Sequence, residues 1–93
     1  KENGLTLLAS PEGGEGIATI HADAKLSLAS YGEGQKAEIK LDPQKSYWAQ
    51  IVEGELTIND EKVATGDGLA LKEEESISLV SSQKSEFLFF ELP

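Results

Sequence analysis

Apolar and polar residues alternate with period two along most of this chain, and glycines or polar clusters interrupt the alternation at short intervals. That is the signature of half-buried strands, one face inward and one outward. Leu5 to Leu8 predicts a first strand, closed by the turn-rich run from Ser10 to Gly16, and Ile17 to His21 a second. From Lys25 to Tyr31, Leu26 and Leu28 share one face, while Lys25 and Ser27 share the other; from Lys36 to Leu41, the inward set is Ala37, Ile39 and Leu41. Ser46 to Glu53 predicts a strand around Trp48, Ile51 and Val52, Gly54 breaks it, and Glu55 to Asn59 resumes. Asp60-Glu61 reads as a hairpin tip, because Asn and Asp tolerate the left-handed backbone of tight turns. Val63 begins the return, Gly66-Asp67-Gly68 turns tightly, Leu69 and Leu71 share a face, and Glu73 to Glu75 marks an exposed bend. Ile77 and Leu79 define the next strand, and Ser81 to Ser85 reads as a polar loop. The last strand, Glu86 to Leu92, is apolar on both faces: Phe87 and Phe89 on one, Leu88, Phe90 and Leu92 on the other. No segment carries a helical stripe. The fold class is all-β, an antiparallel sandwich or small barrel.

With 93 residues the chain has room for one core, so a single domain over 1–93 is expected. No stretch reaches the ~20 apolar residues that cross a bilayer, and the N-terminus lacks the layout of a signal peptide. A soluble, cytoplasmic protein is the expectation. Methionine is absent even at position 1, which suggests a segment of a longer chain. Without cysteine there is neither a disulfide framework nor a thiolate metal site. A net charge of −9 with no arginine excludes the usual means of holding nucleic acid or anionic lipid.

Candidate chemistry is sparse. A Ser-His-acid relay or an imidazole metal site needs histidine beside partners. His21 stands alone and reads as a surface or strand-end residue. Asp60-Glu61 and Glu73 to Glu75 lack the alternating ligands and central glycine of a calcium loop. The glycine-rich stretches at Gly13 to Gly16 and Gly32 to Gly34 precede strands, whereas a phosphate cradle opens a helix. The aromatic residues remain. Tyr47 and Trp48 are adjacent, so in a strand they point to opposite faces; one is core and the other lines a cavity or meets a partner. The apolar central strand predicts burial of Trp48. With Phe87, Phe89 and Phe90 these two residues make the candidate pocket or interface.

The stretches Trp48 to Asn59, Ala64 to Ala70 and Glu86 to Pro93, with Leu7 to Gly13 and Ile17 to Leu28 upstream, resemble the C-terminal cupin half of pirin-like, quercetin-dioxygenase-like proteins. The resemblance implies a parent with two cupins whose divalent transition metal sits in the N-terminal one. If Gly54 closes the first cupin motif, its glutamate position falls at Tyr47 and its histidines at Leu41 and Pro43, or at Lys40 and Asp42 with the longer spacing. If Gly66 opens the second, its proline, glycine and histidine positions fall at Lys72, Glu74 and Ile77. The ligand set is lost. The resemblance therefore implies a domain without metal, cofactor or catalytic residues, which packs against the missing N-terminal half. The rival expectations are a barrel whose interior holds a small ligand near Trp48 or Tyr47, and an interaction module. Because both faces of the last strand are apolar, the second face is expected to meet a terminal segment, the missing half or another copy of the chain.

Overall fold

A computed structural model describes residues 4–19 and 24–93. His21, and with it the end of the predicted second strand, lies outside the described residues. Within them the alternation produces strands and no helix: β1 (Gly4–Ser10), β2 (Ala18–Thr19), β3 (Lys25–Tyr31), β4 (Lys36–Lys40), β5 (Ser46–Glu53), β6 (Glu55–Ile58), β7 (Glu61–Ala64), β8 (Gly68–Lys72), β9 (Ser76–Ser81) and β10 (Ser85–Leu92). They form a six-stranded sheet in the order β2-β1-β3-β10-β5-β8 and a four-stranded sheet in the order β4-β9-β6-β7. Every pairing is antiparallel except the short β1–β2 contact. This is the all-β sandwich the alternation predicts.

The core lies where the two inner faces meet. The larger sheet contributes Ala29, Tyr31, Tyr47, Ala49, Ile51, Leu71, Phe87 and Phe89; the smaller contributes Leu56, Ile58, Val63, Ile77 and Leu79. In each strand these residues are spaced by two, so the outward set is fixed as soon as the inward one is. β10, the most apolar strand, lies inside the larger sheet between β3 and β5. Its odd-numbered rings fill the core, and its even-numbered side chains point out of the sandwich.

The structure moves some boundaries. The β6–β7 tip is Asn59-Asp60, not Asp60-Glu61: Ile58 pairs with Glu61, and Asn59 and Asp60 have φ of 48° and 69°. Two consecutive left-handed residues make the type I′ turn that matches strand twist. Ser81 to Ser85 is only in part a surface loop. Ser81 and Ser85 are completely buried, because the loop folds back over the β5–β6 corner. The Ser85 hydroxyl takes the Glu55 N–H at 3.0 Å, and the Ser81 hydroxyl donates to the carbonyl of Gln83. Gly54 makes that corner, with φ of 103°. A Cβ there would strike the Lys84 carbonyl and the Ser85 side chain.

Candidate functional site

Inside the sandwich the aromatic residues form one continuous cluster. Tyr31 lies against Phe87 at 6.4 Å between centroids, Phe87 meets Phe89 edge to face at 6.1 Å, and Phe89 stacks on Tyr47 at 5.3 Å. Cross-strand register builds this series, since Phe87 sits opposite Ala29 and Ile51, and Phe89 opposite Ser27 and Ala49. Small residues beside large rings leave space for the rings to overlap. Burial also pushes the Tyr31 hydroxyl above the ordinary tyrosine value, because the phenolate would lose its hydration.

Tyr47, at the expected glutamate position, holds a loop. Its hydroxyl accepts the Asp42 N–H at 3.0 Å, while the Asp42 carboxylate accepts the Gln44 N–H at 2.9 Å. The residues mapped to the histidines lie on or beside this loop. Leu41 is buried in the core, with its N–H donating to the Glu75 carbonyl at 2.9 Å, and Pro43 is exposed. Ile77, the last histidine position, is fully buried among apolar side chains. Lys72 and Glu74 point to solvent. A first-row metal requires several nitrogen or carboxylate donors converging on one point. The side chains at these positions are hydrocarbon and one engaged phenol, so these residues do not fit the metal that the resemblance implies. Among the described residues no group of three or more His, Cys, Asp or Glu could hold an ion.

Trp48 corrects the expectation of burial. It keeps 38% of its surface exposed, whereas its neighbours Tyr47 and Ala49 are buried. The reason is parity: Tyr47, Ala49 and Ile51 take the inward positions of β5, so Trp48 faces outward. Two features orient its ring. The indole N–H donates to Gln50 Oε1 at 3.2 Å, and the Gln50 amide donates to the carbonyls of Gly66 and Asp67 at 3.4 and 3.2 Å. On β8 the ring lies over Gly68, where a Cβ would come within 2.9 Å of its Cη2.

Around Trp48 the outer face of the larger sheet is apolar. In register across the strands run Leu26, Phe90, Trp48 and Ala70, and beside them Leu28, Leu88 and Gln50. Trp48, Gln50, Phe90 and Leu92 line a shallow depression of about 340 Å³. The smaller sheet has a different outer face: Lys36, Glu38 and Lys40 on β4, Ser76 and Ser78 on β9, Thr57 on β6 and Lys62 on β7, with Val80 the exposed apolar residue in the middle. The sequence-predicted aromatic set is thus divided. Tyr47, Phe87 and Phe89 make core, and Trp48 and Phe90 make surface.

The family profile described as the quercetinase C-terminal cupin domain matches residues 7–92. The chain is 33% identical over 90 residues to a quercetin 2,3-dioxygenase of Escherichia coli (strain K12), covering 97% of the chain and 39% of that protein. It is 41% identical over 91 residues to a provisionally named quercetin 2,3-dioxygenase of Pasteurella multocida, covering 96% of the chain and again 39% of the relative. Among solved structures, YhhW from Escherichia coli, described as a bacterial pirin in complex with nickel(II), superposes with a TM-score of 0.92 at 32% identity, over 100% of this chain and 41% of that one. The chain therefore spans about two fifths of the length of the curated relatives it matches.

Proposed function

The chain belongs to the quercetinase C-terminal cupin domain family, and from that membership we propose that it is the metal-free, non-catalytic half of a protein of quercetin 2,3-dioxygenase type. Its role is structural: it packs against the catalytic cupin and helps to shape it. The observation that supports this reading is what stands at the positions to which the resemblance maps the cupin ligands. Leu41, Tyr47 and Ile77 are buried there as core side chains, and the Tyr47 hydroxyl is committed to the Asp42 backbone at 3.0 Å. Placing an ion there would require removing packed hydrocarbon and breaking that bond, with no imidazole gained in return. In the parent, metal and reaction belong to the other half.

Purified protein soaked with iron, nickel, copper or manganese salts and then desalted is expected to retain no stoichiometric metal. It is also expected to consume no oxygen with quercetin. Tight, near-stoichiometric metal together with turnover would overturn the reading. A ligand site in the barrel interior is disfavoured by the stacked rings of Tyr31, Phe87, Phe89 and Tyr47, which occupy the space such a ligand would need.

A further inference from the structure

At the end of the sandwich opposite Tyr47, β3 and β10 separate. Tyr31 and Ser85 are the last pair in register, and beyond them the chain runs into two loops, residues 32–35 and 82–84. The loops do not splay freely. The Gly34 N–H donates to the Ser81 carbonyl at 2.7 Å, and the Ser81 N–H donates to the Gln35 carbonyl at 2.9 Å, so the first loop is fixed to the base of the second. Between them lies a pocket of about 230 Å³, lined by Ser30, Tyr31, Gly32, Glu33 and Lys84.

Three groups at this pocket lack partners. Tyr31 is only 5% exposed, and its hydroxyl makes no hydrogen bond among the described residues. Yet no sealed side-chain oxygen among those residues is unpaired, so the hydroxyl belongs to the small part of Tyr31 that still meets water, and the pocket is where Tyr31 does so. Burial keeps the group protonated, as a donor. Glu33 and Lys84 carry opposite charges, and among the described residues neither forms an ion pair, with the other or elsewhere. They therefore stand more than 4.0 Å apart across the same pocket. A carboxylate and an ammonium held apart in this way are complementary to the two charges of a zwitterion.

We propose that this pocket binds a free α-amino acid with an apolar side chain: Lys84 and the Tyr31 hydroxyl take its carboxylate, and Glu33 takes its ammonium. Size and charge both select such a ligand. Pockets for drug-sized molecules run to ~300–1,000 Å³, and this one is smaller, so a single amino acid suits it and a flavonol does not. A simple anion would approach a protein of net charge −9 against its field, whereas a zwitterion has no net charge to repel. The walls are mostly apolar, which favours a leucine-like side chain. Because the two loops are already tied together, binding orders only the exposed Glu33 and Lys84 side chains.

The test is titration of the protein with L-leucine, followed by backbone amide NMR. Saturable shifts should appear at residues 30–34 and 83–86, with half-saturation at ~1 mM or below, as suits a ligand of this size. Two analogues each remove one charge: isocaproate lacks the ammonium, and isoamylamine lacks the carboxylate. Each should bind at least ~10-fold more weakly, through loss of its charge-assisted hydrogen bonds. Tyr31→Phe removes a hydroxyl that holds nothing in the fold, and it should weaken leucine at least ~5-fold while the spectrum keeps its folded dispersion. Glu33→Gln should weaken leucine and leave isocaproate unchanged, a split that a merely structural role would not produce; Glu33 is exposed, so this variant keeps the fold even if Tyr31→Phe does not. No saturable shift at these residues up to ~10 mM leucine overturns the proposal. Isocaproate binding as tightly as leucine also overturns it, since the pocket would then be a carboxylate site, and shifts centred on Trp48 and Phe90 overturn it by placing leucine on the outer face of the larger sheet.

Discussion

Replacing Gly54 by alanine should be far more damaging than the same change at Gly66, although the two residues share nearly the same unusual backbone. Gly54 has φ of 103° and Gly66 of 91°, conformations that an L side chain adopts only with strain. That strain costs about 1–3 kcal/mol at either site. At Gly66 nothing lies within 4 Å of the added Cβ, and the Gly66 N–H keeps its bond to the Ile51 carbonyl at 2.9 Å, so the backbone strain is the whole effect. At Gly54 the Cβ would collide with the Lys84 carbonyl, and it would lie 2.6 Å from Ser85 Cα. Ser85 cannot retreat without giving up the Glu55 N–H it accepts at 3.0 Å. Leaving that part-buried donor unmet costs ~1–3 kcal/mol, and displacing packed backbone a similar amount. The total for Gly54→Ala is about 3–9 kcal/mol, out of the ~5–14 kcal/mol expected for a domain of this size. Urea unfolding followed by circular dichroism separates the cases. Gly66→Ala should lose about 1–3 kcal/mol, and Gly54→Ala at least ~2 kcal/mol more or be unfolded in buffer. Equal losses within ~0.5 kcal/mol would refute the reasoning, since they would mean that the corner yields freely and the glycine serves only its own φ.

Trp48, the protein's one tryptophan, should emit like a half-exposed indole and be quenched readily by acrylamide in this chain alone. Trp48→Ala should cost under ~2 kcal/mol, against ~3–5 kcal/mol for the fully buried Phe87→Ala; the reverse order in urea unfolding would put the face assignment in doubt. Ser85→Ala should lose ~1–3 kcal/mol, because the Glu55 N–H loses its acceptor, whereas a neutral result by the same assay would mean that water replaces the hydroxyl. Tyr31 has a raised value from burial, so the folded state keeps its hydroxyl neutral while the unfolded chain ionises first. Its contribution to stability is complete below the ordinary tyrosine value near pH ~10 and is lost as pH rises through the higher folded value. Tyr31→Phe should therefore show a shallower alkaline loss of stability than the parent sequence in urea series run at rising pH, and identical slopes would contradict the assignment.

The local elements were legible in the sequence because period-two alternation and glycine punctuation are local properties. Ile39 facing Leu41, or Leu56 facing Ile58, needs no knowledge of what lies across the core, and the chain is correspondingly all-β with these residues turned inward. The faces of adjacent aromatic residues were not legible. Tyr47 and Trp48 must point opposite ways, but only pairing with β10 and β8 decides which one meets the second sheet. Trp48, the more massive ring, is the one left outside. Ser81 and Ser85 look like loop residues because serine is polar, yet the corner at Gly54 brings a backbone N–H to Ser85, and a met hydrogen bond removes the penalty of burying a hydroxyl. Sequence thus determined what each strand is. Tertiary pairing decided which of its faces is core and which stays apolar in the open, because burial depends on neighbours that lie far away along the chain.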